Sequence, residues 1–135
     1  MRYDVDFVQQ LCREVGLSAR VVDERVKVDL GKSAVLCFQN AEREEDGLIG
    51  FLGTPWHVHD KLMFTDPRGH YIELDYADLV IALQEGRVLI CELLKDGCVV
   101  NRWLIHRDFN DEFKYMEEGE QIVVRRAITN GATAR

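Results

Sequence analysis

The sequence predicts an α+β fold, a mainly antiparallel, curved sheet packed against an N-terminal helix and a mid-chain helix. Three observations predict it. A one-sided helical pattern opens the chain, the longest apolar stretches are joined by tight-turn dipeptides, and no regular alternation of strand and helix appears of the kind a parallel sheet needs. With 135 residues, 47% hydrophobic and 30% charged, the chain is long enough to bury a core without disulfide or metal staples. No internal repeat or linker divides it, so residues 1–127 read as one domain and 128–135 as a frayed tail.

Asp4 is placed to cap a first helix, whose apolar positions Val5, Val8, Leu11, Cys12 and Val15 follow helical spacing, with Gly16 just past its end. "RVKVDL" then alternates, "GKS" turns and "AVLCF" is nearly all apolar, which predicts a hairpin with a central second strand. The polar run "NAEREEDG" predicts a loop, and "LIGFLG" a third strand. At 66–69, "DPRG" has Pro at the second and Gly at the fourth turn position, so strands are expected on either side. Alternation after that turn puts His70, Ile72 and Leu74 on one face, so His70 is expected to point inward.

Asp75 should cap a second helix with Tyr76, Leu79, Val80 and Leu83 as its buried stripe and Gly86 as its stop. "VLICELLK", Asp96-Gly97 and "CVVNRWLIH" form the strongest hairpin signal. An unbroken register sets Lys95 opposite Cys98, Cys91 opposite Arg102 and Ile90 opposite Trp103. "RDFNDEFKYM" predicts a short helix with Phe109 and Phe113 inward, and "QIVVRRA" a last strand.

The formal net charge of −7 and pI of about 5.1 argue against nucleic acid as a partner, because no basic stripe offsets them. No segment reaches the roughly 20 apolar residues of a membrane span. Asp4, Asp6, Arg13 and Glu14 interrupt what would be the apolar region of a signal peptide, so a cytoplasmic protein is expected. Cys12, Cys37, Cys91 and Cys98 lack CxxC spacing and read as small buried hydrophobes. "GKS" lacks the earlier glycine of a phosphate loop, Val26 standing there, and "HRD" lacks the asparagine of a kinase loop, Phe113 standing there.

In "PWHVHD" a strand points His57 and His59 to one side and Trp56 and Val58 to the other. Paired imidazoles on a strand suit zinc, nickel or iron, and Glu73 is the best-placed third ligand, ahead of Asp60 and His106. The HxH pair followed by a Pro-Gly turn and a histidine resembles a cupin, although Met63 and Phe64 occupy the spacing of the cupin glutamate. "FTDPRGHYIEL" resembles the strand-turn-strand ending of glyoxalase-type metal-chelating modules, which implies a ligand role for its glutamate, Glu73. The simpler reading is a half-exposed strand face, with the imidazoles solvated or bonded to carboxylates.

The expectation that follows is a non-catalytic protein-binding module, such as an immunity-type protein that neutralises a toxin. Its contact segment is expected at Glu42, Glu44, Glu45 and Asp46, facing a basic protein partner, and a homodimer is an open alternative. The rival expectation is a small metal-dependent enzyme or metal-binding protein using His57, His59 and Glu73, with the metal polarising a carbonyl or activating water.

Overall fold

The computed structural model describes residues 3–40, 47–110 and 116–128. Among these residues two helices and ten strands run in the order α1 (Val5–Glu14), β1 (Ser18–Val22), β2 (Arg25–Asp29), β3 (Val35–Asn40), β4 (Gly47–Phe51), β5 (His57–His59), β6 (Leu62–Thr65), β7 (Tyr71–Leu74), α2 (Tyr76–Glu85), β8 (Val88–Lys95), β9 (Cys98–His106) and β10 (Glu120–Arg125). The fold is α+β, and its strands divide into three antiparallel sheets: β1-β2-β3-β4-β5, β10-β8-β9 and the hairpin β6-β7.

Both helices start as their sequences require. The Asp4 carboxylate accepts the Phe7 N–H, and the Asp75 carboxylate the Asp78 N–H. Gly86 closes α2 at φ 77°, a left-handed conformation that glycine adopts without steric cost. The stripe Leu79, Val80 and Leu83 is buried, as are Val8 and Cys12 of α1. These meet Val26, Val28, Leu36, Phe38 and Ile49 from the inner face of the five-stranded sheet, together with Ile90 and Leu104 from β8 and β9. Tyr3 closes one end of this core. Its backbone N–H donates to Asn40 Oδ1, its hydroxyl to the Asp60 carbonyl, and its ring meets Phe38 and Tyr76 edge-on.

Four expectations are corrected. An additional strand, β1, pairs with β2 through a turn at Asp23 and Glu24, both in left-handed backbone conformation (φ 52° and 62°). The β8–β9 register holds at Lys95 and Cys98 and then slips, because Val100 is an extra residue: Leu94 pairs with Val99 but Leu93 with Asn101. Beyond that bulge Glu92 faces Arg102, Cys91 faces Trp103 and Ile90 faces Leu104. His70 is exposed and precedes β7, its backbone N–H bonded to Asp66 Oδ1 and its Nδ1 3.2 Å from Asp66 Oδ2. Cys98 is exposed at the hairpin turn, while Cys12, Cys37 and Cys91 are buried.

Of the expected helix over 107–116, residues 107–109 form a bend, and 111–115 lie outside the described residues. At the other end of β10, the Ile128 N–H donates to the Leu30 carbonyl at 3.1 Å, tying that residue to the β2–β3 turn.

Candidate functional site

Strand β5 is short and lies at the edge of the five-stranded sheet, with Val58 packed toward the core and His57 and His59 exposed on the outer face. The two imidazole centroids are 5.5 Å apart. The Pro55 carbonyl is 3.1 Å from His57 Nδ1, and because a carbonyl only accepts, that nitrogen is the donor. Glu73 belongs to a different sheet, opposite Met63 in the β6–β7 hairpin, and pairs with Lys61 at 3.1 Å. Among the described residues no three His, Cys, Asp or Glu side chains converge on a position that could hold a metal, so His57 and His59 come together without Glu73. Asp60 turns its Oδ1 to the Gly47 N–H. His106 is buried against Phe64 and Phe109, and its Nδ1 accepts the Asp108 N–H.

The outer face carries more than its histidines. Cross-strand register lines up Arg20, Lys27, Cys37, Gly50 and His57 in one row across all five strands, with Val22, Arg25, Gln39, Leu48 and His59 in the next. Gly50 sits between Cys37 and His57 and contributes no side chain. A Cβ there would lie 2.9 Å from the Trp56 carbonyl oxygen and 3.1 Å from His57 Cβ. This bare position lies at a hollow of about 310 Å³, lined by Arg25, Gln39, Leu48, Trp56 and His57 and walled by the turn that follows β4. That volume is at the lower end of the roughly 300–1,000 Å³ typical of ligand pockets. The Thr54 hydroxyl in that wall is buried and has no hydrogen-bond partner among the described residues.

Burial pushes the Cys37 thiol up, against the opposing pull of the Lys27 and Arg25 charges. The floor of the hollow therefore holds a neutral thiol rather than a nucleophilic thiolate.

No family model matches this chain. Nor is any curated protein or solved structure significantly similar to it.

A second polar cluster is structural in character. Arg102 Nε and Arg125 Nε donate to the two oxygens of the buried Glu92 at 2.7 and 3.2 Å. Burial alone would raise the Glu92 pKa, but the two guanidinium groups outweigh it and hold the carboxyl below its ordinary value. Arg125 also donates to the Leu30 and Gly31 carbonyls, spanning the two larger sheets.

Glu42, Glu44, Glu45 and Asp46 lie outside the described residues. The hollow went unnoticed in the sequence because it depends on which strands lie side by side. The signal available was Gly50 two residues before Leu52 in an otherwise apolar strand, a pattern that marks close backbone approach.

Proposed function

We propose that this chain is a non-catalytic protein-binding module whose contact surface is the outer face of the five-stranded sheet. The observation supporting it is the hollow at Gly50, an indentation of about 310 Å³ in an otherwise pleated surface, with both apolar walls and hydrogen-bonding groups at its rim. Such a combination suits an anchor side chain with polar contacts around it. The neutral Cys37 thiol on its floor favours binding over covalent chemistry. Toxin neutralisation is a form of binding that the small size of the chain supports.

The test is photo-crosslinking in cells from single positions, Gln39 and Lys27 on this face against Met63 and Val99 on the other two sheets, followed by reconstitution of the crosslinked pair from purified components. Adducts from Gln39 and Lys27, with an affinity that falls in Arg25→Ala, are expected. Adducts obtained only from Met63 or Val99 would sink the assignment of this surface.

A further inference from the structure

We propose that the occupant of this face is an acidic, extended peptide segment of the partner, with one apolar side chain in the hollow and its carboxylates on Arg20, Arg25 and Lys27. The proposal rests on the reading of this sheet face as a contact surface and adds the chemistry of what it contacts.

Charge selects the sign. The chain as a whole carries −7, yet this face presents Arg20, Arg25 and Lys27 with His57 and His59. Lys61, Lys95, Arg102, Arg107 and Arg125 are each ion-paired with a carboxylate. Arg20, Arg25 and Lys27 pair with none among the described residues; Asp29 shares their face two residues beyond Lys27, and its Oδ1 accepts the Gly31 N–H. With a screening length of about 8 Å at physiological salt, this local cluster, not the distant net charge, sets the potential an approaching segment meets.

Spacing and shape select a peptide over a polyphosphate. Arg25 and Lys27 are two residues apart on one strand face, a separation of roughly 7 Å, which equals the separation of alternate side chains in an extended peptide. Arg20 stands directly across from Lys27. Beside them Leu48, Leu52 and Trp56 line the hollow, and Leu52 is 48% exposed, an apolar lining with no phosphate to serve. The Gln39 amide lies at the same hollow and is suited to backbone groups of a bound segment. A nucleic acid would gain these few cations and then meet a strongly acidic remainder.

The experiment is selection of a display library of short random peptides on the full chain, followed by affinity measurements of enriched peptides against wild type, Arg25→Glu/Lys27→Glu, the milder Arg25→Gln/Lys27→Gln, and Lys95→Glu/Arg107→Glu as a control elsewhere. Circular dichroism establishes that each variant is folded. Enriched peptides should carry net negative charge and at least one Leu, Phe or Trp. Their affinity should fall by about tenfold or more in the charge-reversed pair, less in the glutamine pair and not in the control, and should weaken with added salt. Peptides without an acidic excess whose binding is still lost when folded Gly50→Ala displaces β5 and reshapes the hollow would overturn the acidic occupant while leaving the contact surface in place. Peptides indifferent to Arg25, Lys27 and Gly50 alike would overturn both.

Discussion

Arg102 lies opposite Glu92, its Nε 2.7 Å from Glu92 Oε2, because Val100 is an extra residue in β9. Without that bulge the pairing would run Cys91 to Arg102, and side chains beyond it would exchange faces. Setting Val100 aside as a bulge therefore decides whether the buried Glu92 carboxylate faces Arg102 or Asn101.

Removing Glu92 leaves Arg102 as a buried charge with no counter-ion. Glu92→Ala is expected to lower the unfolding free energy by about 3–5 kcal/mol in urea titration. Deleting Val100 removes only the unpaired residue and leaves Leu94 opposite Val99, Leu93 opposite Asn101 and Glu92 opposite Arg102, so the ion pair should survive and the Arg102 side-chain resonances should stay in place. A Glu92→Ala loss below about 1 kcal/mol would mean the cluster adds little. Because the Glu92 pKa is held down in the fold, its stabilisation is complete above the unfolded value of about 4.3 and disappears as pH falls through the lower folded value.

As pH falls His106 becomes charged where Glu92 becomes neutral, and both changes act against the fold. Burial, aided by Arg87 and Arg107 and opposed by Asp108, holds its pKa below the ordinary histidine value. Its Nε2 is buried without a partner among the described residues. The unfolded chain thus takes up the proton first, so stability is unaffected above about pH 6.5 and declines as pH drops below it. His106→Asn, which keeps an acceptor for the Asp108 N–H, should flatten the Tm profile between neutral and mildly acidic pH. An unchanged slope would remove His106 as its source.

Gly50→Ala forces a methyl group within 2.9 Å of the Trp56 carbonyl oxygen. The expected cost is about 1–3 kcal/mol in thermal unfolding, with shifted His57 ring signals as β5 moves away. A neutral substitution with unmoved signals would show that β5 already has room.

Metal binding can be tested directly. With His57 and His59 adjacent and Glu73 held by Lys61 in another sheet, nickel or zinc should bind weakly, be lost in His57→Ala/His59→Ala and be unaffected by Glu73→Ala. Stoichiometric tight binding abolished by Glu73→Ala would restore the three-ligand centre.

What could be read in the sequence was local. Asp4, Asp75 and Gly86 set helix ends through hydrogen bonds within a turn of themselves, and Asp96-Gly97 specified its hairpin because both residues take left-handed backbone angles. The β1–β2 turn needs the same angles but fills them with Asp23 and Glu24, the second of which is a poor left-handed residue. Strand β1 was invisible for that reason, and Asp23→Asn/Glu24→Gly should raise stability by about 0.5–2 kcal/mol. His70 was misplaced because alternation was counted from it, whereas the Asp66 carboxylate captures its N–H and keeps it in the turn. The hollow needs β3, β4 and β5 to lie side by side, and lateral order is not written in any one segment.

Arg125 grips the Leu30 and Gly31 carbonyls from a strand nearly a hundred residues later in the chain. During synthesis the β2–β3 turn emerges early, but this clasp can form only after β10 has left the ribosome. The five-stranded sheet must therefore wait, incompletely fastened, for almost the whole polypeptide. Nascent chains halted before residue 125 should be more readily cleaved by protease in the 30–34 turn than chains released at full length.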